Sequence, residues 1–210
     1  MPNMETPLGL EKLMDDLRDE TSLLASRICH DLISPLGAIS NGLELLAMSG
    51  MGDTPEMKLI EESVESANSR IRFFRVALGA ASGSQVLASS EIVKLIDGCY
   101  RNGRHKVRWN AAGDPPRTMA KLGLLAIMCM ETALPGGGEI IVTSSHDDWT
   151  VQAFGPKIRF DAPLWGMVQG KPMDDLTSGM VHFALLRDGL AELGKSPLIG
   201  HSDSAVSLKF

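Results

Sequence analysis

His30 and Asp31 stand side by side in the stretch RICHDLISPLG, residues 27–37, and they are the first residues that could do chemistry. An imidazole titrates near neutral pH, so it can act as an acid, a base, a nucleophile or a metal ligand. The adjacent carboxylate could orient the ring or take its proton. Arg27, one helical turn earlier, could offset negative charge on a group bound to the ring. Which chemistry applies depends on where the histidine points.

The stretch is typical of an amphipathic helix, and its periodicity gives the direction of His30. At about 100° per residue, the small residues Ser26, Ser34 and Gly37 share the side of His30. The opposite side is apolar and holds Leu24, Ala25, Ile28, Leu32, Pro35, Leu36, Ile39, Leu43 and Leu46. His30 is therefore expected on an outer face that another protein can approach closely. Pro35 lacks a backbone donor and is expected to bend the helix one turn later.

Several kinds of site compete for this histidine. A metal site needs further ligands at short spacing, and Cys29 points about 100° away from His30 on a helix. A serine–histidine–aspartate triad needs a nucleophile elbow of the GxSxG kind, which the sequence lacks. Nucleophilic chemistry of an exposed imidazole, giving a labile phosphohistidine, remains open. So does the alternative that His30 is an ordinary surface histidine.

Composition narrows the classes of partner. The chain has 210 residues, 44% of them hydrophobic, and a net charge of −6, which disfavours nucleic-acid phosphates and anionic membranes. Its three cysteines, Cys29, Cys99 and Cys129, are odd in number and far apart, which fits a reducing compartment. No segment is expected to supply the roughly 20 apolar residues of a membrane span. We therefore expect a cytoplasmic protein that binds neither nucleic acid nor a membrane.

The elements that must position His30 form a helical hairpin. One long helix is predicted over residues 7–49, and a second begins after the turn SGMGDTP, with Thr54 as N-cap and Pro55 as first helical residue. Its apolar residues recur at alternating spacings of three and four, at Met57, Ile60, Val64, Ala67, Ile71, Phe74, Leu78 and Ala81. Two such hairpins would bury their apolar faces in a four-helix bundle, which predicts a homodimer. The alternative is that the hairpin packs on its own C-terminal domain.

The second half of the chain mixes helices with mainly antiparallel strands. Helices are predicted at residues 89–100, 114–134 and 177–194. Strands are predicted at HKVRWNAAG, in EIIVTSSHDDWTVQAFGP around a turn at residues 146–148, and in SPLIGHSDSAVSLKF. The predicted fold class is α+β, with a helical hairpin domain at residues 1–84 and an α/β sandwich at residues 85–210.

The motif HDLISPL, residues 30–36, resembles the H-box of sensor histidine kinases, H-[ED]-L-x-[ST]-P-L, which also lies on a helical hairpin. The second half resembles the kinase ATP-binding domain in its overall pattern. It differs from that domain at the positions that bind the nucleotide. Leu125 and Cys129 fall near two asparagines that hold Mg²⁺ and phosphates in the kinases, and Ala153 falls about where an aspartate reads adenine. The resemblance therefore implies that this chain binds no ATP and no cofactor of its own.

An intact H-box beside a degenerate kinase-like domain resembles the ChpT-type histidine phosphotransferases of alphaproteobacteria. That resemblance implies a dimeric enzyme in a phosphorelay of cell-cycle regulation. It would take a phosphoryl group from the receiver domain of a hybrid kinase, CckA, and pass it to the receivers of CtrA and CpdR. The receivers would bring their own Mg²⁺. His30 would be phosphorylated, through Nε2, with Asp31 and Arg27 beside it.

The same resemblance implies a docking surface for the receiver domain below the histidine. The expected contacts on the first helix are Ile33, Ser34, Gly37, Ser40 and Asn41. Exposed positions near Arg70 and Phe73 on the second helix are further candidates, and the alternative for these two is a solvated helix face.

Three other functions are consistent with parts of the pattern. An active histidine kinase would bind nucleotide, and the missing asparagines and aspartate argue against it. A non-catalytic dimeric adaptor, or an inhibitor of a kinase, would keep its activity without His30. A phosphatase would drain receivers, which a phosphotransferase running backwards also does.

Overall fold

The computed structural model describes residues 8–51, 54–81, 84–145, 147–173 and 175–210, with side chains described from residue 22 onward apart from residue 51. Some sequence predictions fall outside these residues. They are residue 7 of the first helix, residues 52 and 53 of its closing turn, residues 82 and 83 beside the domain boundary, and His146 in the turn between two strands.

The N-terminal hairpin is present. Helix α1 runs from Leu8–Leu46 with Pro35 inside it, and a π-helical turn Ala47–Met51 follows, in which Gly50 takes a φ of 82°. Glycine favours that left-handed conformation, which interrupts the helix. Helix α2 spans Pro55–Ala77, and the Thr54 hydroxyl accepts a hydrogen bond from the Met57 amide at 3.2 Å. The predicted N-cap and first helical residue are confirmed.

The C-terminal region alternates helices and strands as predicted. Its elements are α3 (Ser89–Tyr100), β1 (His105–Asn110), α4 (Arg117–Ala133), β2 (Gly138–Ser145), β3 (Asp148–Phe154), α5 (Ala162–Val168), α6 (Val181–Glu192), β4 (Leu198–His201) and β5 (Ala205–Lys209). Sequence reasoning missed α5, because it is only seven residues long. Its N-cap Asp161 accepts a hydrogen bond from the Leu164 amide at 3.2 Å.

Five strands form one sheet in the order β1-β2-β3-β5-β4. Strands β1 and β2 are parallel, and the other neighbouring pairs are antiparallel. Helices α4 and α6 pack together, and α4 contacts β2, β3 and β5. An N-terminal helical region and a C-terminal five-stranded sheet confirm the α+β fold class.

The hairpin and the C-terminal region share one apolar core. Phe73, Val76 and Ala77 near the end of α2 are buried in the same cluster as α3, α4 and the sheet. The alternative that the hairpin packs on its own C-terminal domain is thus right for this part of α2. It is not right for α1, whose apolar residues Leu24, Ile28, Leu32 and Ile39 remain exposed.

The expectation about membrane spans needs a correction. Within the described residues, one helical segment, Ser22–Gly50, is long and apolar enough to cross a membrane by length and composition alone. The face that carries Arg27, His30 and Asp31 is charged and exposed, so the segment is apolar on one side only.

Candidate functional site

His30 lies near the middle of α1 with its side chain 78% exposed. Ser34, one turn later, and Gly37, about two turns later, are small, and a Cβ atom added at Gly37 would meet nothing within 4 Å. The outward direction predicted from helical periodicity is therefore what α1 presents. An exposed imidazole with small neighbours is accessible to a reactive group carried by another protein.

Asp31 holds one side of the imidazole. His30 Nδ1 lies 3.3 Å from Asp31 Oδ1, and Arg27 Nε donates a hydrogen bond to Asp31 Oδ2 at 2.9 Å. The hydrogen bonds from His30 and Arg27 lower the pKa of the Asp31 carboxyl below its usual value. An ionised carboxylate can only accept, so a neutral ring that donates in this contact would carry its hydrogen on Nδ1 and its lone pair on Nε2.

The residues of α1 that were predicted to contact a receiver differ in their exposure. Ser34 and Asn41 are exposed, as a docking surface requires. Ile33 and Ser40 are half-buried at the seam with α2, where Ser40 Oγ donates to the Leu36 carbonyl at 3.0 Å and accepts from Asn68 Nδ2 at 3.2 Å. Ile33 and Ser40 therefore present only part of their surface to a partner.

The expectation that Phe73 contacts a receiver is wrong. Its side chain is completely buried, and its ring packs edge-to-face on Tyr100 of α3 with 5.9 Å between centroids. The residue lies on the side of α2 that faces the C-terminal region, which helical spacing alone does not reveal. Arg70 is half-exposed, but its guanidinium also turns toward that region and lies 3.8 Å from Glu131 of α4.

A groove of about 370 Å³ opens beside the His30 helix, between the hairpin and α3. It is lined by Ile33, Ser69, Arg72, Arg75, Val76, Glu91, Lys94 and Leu95. Three cations face one carboxylate there, so the groove favours an acidic surface. The sequence did signal two of these cations, because Arg72 and Arg75 stand three residues apart on one helix. The contribution of α3 could not be seen without the tertiary structure.

The positions that correspond to the kinase nucleotide site are all in the core. Leu125, Cys129 and Ala153 are completely buried, and burial raises the pKa of the Cys129 thiol well above its usual value. Trp165 of α5 is also buried, and it stacks on Phe160 with 5.9 Å between centroids. Apolar packing thus surrounds the three positions that the resemblance compared with nucleotide ligands.

No metal site accompanies the histidine in the part of the chain that the structure describes. Among those residues, no group of three or more histidine, cysteine, aspartate or glutamate side chains is arranged to hold an ion. Cys29, Cys99 and Cys129 are free thiols.

A family model, a curated relative and a solved structure each match this chain to a phosphotransferase. The model of the histidine phosphotransferase C-terminal domain family matches residues 89–203. The curated protein phosphotransferase ChpT of Brucella abortus (strain 2308) is 37% identical over 147 residues, which cover 69% of this chain and 68% of that protein. A bacterial phosphotransferase solved at 1.7 Å is 28% identical, with a TM-score of 0.66 over 100% of this chain and 98% of its own. A histidine kinase from Burkholderia phymatum STM815 is 15% identical, with a TM-score of 0.38 over 93% and 95% of the two chains.

Proposed function

The chain belongs to the histidine phosphotransferase family, and from this membership we propose that His30 carries the phosphoryl group between receiver domains of a two-component phosphorelay. One observation carries the assignment to His30. The imidazole is exposed on the hairpin, and the ionised Asp31 engages Nδ1, so that Nε2 faces outward as the nucleophile.

Transfer follows from this geometry in two reversible displacements. Nε2 attacks the phosphorus of a receiver aspartyl phosphate, the Nε2–P bond forms, and the P–O bond to the receiver carboxylate breaks. The ring then carries a positive charge, which the Asp31 carboxylate next to Nδ1–H stabilises. In the second step the aspartate of another receiver attacks the phosphorus and the Nε2–P bond breaks. Arg27, held at Asp31, stands ready to offset the negative charge of the phosphoryl group.

The partner in each step is a receiver domain that brings its own Mg²⁺. It would dock on Ser34, Gly37 and Asn41 and on the exposed edges of Ile33 and Ser40. The basic groove beside α3 adds a second contact, because its arginines and lysine complement an acidic receiver. By analogy with the ChpT-type family, the donor is a CckA-like hybrid kinase receiver and the acceptors are CtrA-like and CpdR-like response regulators.

The proposed active form is a homodimer with a four-helix bundle. The side chains of Leu24, Ile28, Leu32 and Ile39 are 46–60% exposed in the single chain and lie along one side of α1. Apolar area on this scale gains about 25 cal/mol per Å² when it leaves water. A second hairpin supplies the same stripe, so the contact is self-complementary. With its one-sided apolar helix covered in this way and its three free thiols, the protein is proposed to be cytoplasmic.

We also propose that this chain uses no ATP and no bound cofactor. Support comes from the burial of Leu125, Cys129 and Ala153, none of which offers an oxygen or amide ligand to Mg²⁺ or adenine. Relay activity then depends entirely on receivers that are already phosphorylated.

The test is phosphoryl transfer from a pre-phosphorylated receiver, without ATP, to the wild-type chain and to His30→Ala. An acid-labile, base-stable label on the wild type alone is expected, with at least a roughly 1000-fold loss in the variant because its nucleophile is gone. The exposed His201→Gln variant is the control and should be labelled normally. If neither chain is labelled although the receiver binds, the relay is excluded and a receiver-binding adaptor takes its place.

A further inference from the structure

A polar cluster lies where the hairpin meets the C-terminal region, and the transfer chemistry does not use it. Glu131 of α4 is its centre. Glu131 Oε1 lies 3.8 Å from an Nη atom of Arg70 on α2 and 3.7 Å from Nδ1 of His105 on β1. His105 in turn places Nε2 3.0 Å from the Leu134 carbonyl. One carboxylate thus joins three elements that are far apart in the sequence.

Two of the three side chains in the cluster are largely withdrawn from water. The Glu131 side chain is 18% exposed and that of His105 is 8% exposed. Withdrawing a carboxylate from water costs free energy unless partners compensate it, so an apolar residue of similar size would be the simpler choice on α4. A charge kept at such a place favours one particular arrangement of the surrounding elements over others that apolar contacts alone would allow.

Close packing around the cluster restricts that arrangement further. The Arg70 guanidinium lies 5.5 Å from the centroid of the Phe74 ring and 5.8 Å from that of Tyr100. A Cβ atom added at Gly98 of α3 would come within 2.6 Å of the Ser69 hydroxyl on α2. Helices α2 and α3 therefore approach as closely as their backbones permit, and Arg70 bridges them at the edge of this contact.

The antiparallel register of the hairpin places Arg70 on the same stretch of the hairpin as His30, about two helical turns away from it. Asn68 of α2 is bonded to Ser40 of α1, and a Cβ atom added at Gly79 would lie 2.8 Å from the Ser26 hydroxyl. The α2 segment between these contacts, which includes Arg70, runs alongside the α1 segment that carries His30. At the same level, Lys94 of α3 forms one wall of the basic groove.

We propose that Glu131 is a positioning residue for phosphoryl transfer. It does so through Arg70, whose guanidinium also lies over the Tyr100 ring of α3, so that α3 is held against α2. The α3 wall of the groove then stands at a fixed place beside Ile33, one turn from His30, when a receiver docks. The inference rests on the proposed phosphotransfer function and assigns Glu131 and Arg70 a role in orientation, not in the reaction of the phosphoryl group itself.

The experiment compares Glu131→Gln, Arg70→Gln and the double variant in two reactions at His30. The first is single-turnover transfer from a phosphorylated receiver, measured against receiver concentration. The second uses phosphoramidate, a small donor whose P–N bond breaks with release of ammonia as the Nε2–P bond forms. Glu139→Gln is the matched control, because Glu139 pairs with Arg108 at 2.8 Å on the sheet, away from the hairpin.

Each single variant should raise the half-saturating receiver concentration about tenfold, because misplacement of a docking wall weakens productive binding. Reaction with phosphoramidate should stay unchanged. The double variant should be no worse than the single ones, since both remove the same interaction. Arg70→Lys should recover part of the loss. Receiver transfer at the wild-type level in Glu131→Gln would overturn the proposal, and so would equal loss in both reactions, which would mark general damage.

A second measurement does not depend on the receiver. Amide hydrogen exchange in α3 and in the facing part of α2 should rise about tenfold in Glu131→Gln and stay unchanged in β2 and β3. Unchanged exchange in α3 would overturn the positioning role even if transfer were affected. If the wild type takes phosphate from phosphoramidate but not from any receiver, the relay fails while hydrogen exchange still decides the role of Glu131.

Discussion

The hairpin exposes a histidine to solvent, whereas the C-terminal region buries one in its core. On the hairpin, His30 is exposed, and its ring is oriented by an ionised Asp31. In the C-terminal region, His182 is buried beside Phe183, and burial lowers its pKa to about 4. One histidine remains available to a partner, and the other remains neutral inside the core. The difference shows that reactivity in this protein follows from the surface on which a residue stands, not from its type.

The first prediction introduces a carboxylate of the kind that kinases carry into the buried C-terminal core. Ala153→Asp should lower the free energy of unfolding by about 4 kcal/mol, because the carboxylate is buried without a partner. It should not restore ATP binding, since Leu125 and Cys129 still fill the neighbouring space. Urea unfolding and nucleotide titration check the two parts.

The control for this change is Gln152→Asp, one residue earlier in β3 and on the opposite face of the sheet. This control should lower the free energy of unfolding by less than about 1 kcal/mol. Nucleotide binding by Ala153→Asp, or a stability equal to that of the control, would show that the site is not closed by packing.

His182 gives the second contrast, through the pH dependence of stability. The unfolded chain binds a proton at this residue below about pH 6.5, whereas the folded chain does so only near pH 4. Stability should therefore fall as the pH falls from 6.5 to 4, with a share of roughly 3 kcal/mol from this group. His182→Leu should flatten that part of the curve. An unchanged slope would mean that other groups cause it.

The exposed apolar stripe of α1 gives a third contrast, which concerns dimer formation. Ile28→Glu should raise the dimer dissociation constant about 100-fold, because the charge enters a two-fold interface twice. Leu198→Glu, at an equally exposed apolar residue on the edge strand β4, should leave the dimer intact. Sedimentation equilibrium distinguishes the two variants. A wild-type chain that stays monomeric at high concentration would contradict the four-helix bundle.

The smallest expected effect concerns the orientation of His30. Asp31→Asn should slow transfer about tenfold, because the amide no longer holds the hydrogen on Nδ1 or stabilises the charged ring. The pKa of Asp31 is lowered, so its carboxylate stays ionised as the pH falls from 8 to 5. Protonation of Asp31 itself should therefore not remove its contribution over that range. Glu44→Gln, an exposed acid on the same helix, is the control, and a matching loss there would remove the special role of Asp31.

Local patterns were sufficient for much of this molecule. The outward direction of His30 and the caps of α2 follow from helical periodicity and from the chemistry of helix ends. Alternating polarity and capping signals also predicted the order of elements in the C-terminal region. The short helix α5 was not predicted, because seven residues carry too little periodic signal.

Other features depended on which neighbour covers which face. Leu36 is half-buried against α2, whereas Leu32 and Ile39 remain exposed, although all three belong to one predicted apolar stripe. Helix α2 covers part of that stripe, and the proposed second hairpin would cover the rest. Phe73 was predicted on a docking surface but lies in the core, because the C-terminal region covers that side of α2.

The sequence by itself determined the motif HDLISPL and its place on a helical hairpin, because residue type and spacing carry that information directly. Only the tertiary structure decided that Phe73 is buried, that Arg72 and Lys94 line one groove, and that Glu131 joins α2 to β1. The physical reason is that helical periodicity fixes which residues share a face, while long-range packing of α2 on α3 and α4 fixes what that face meets.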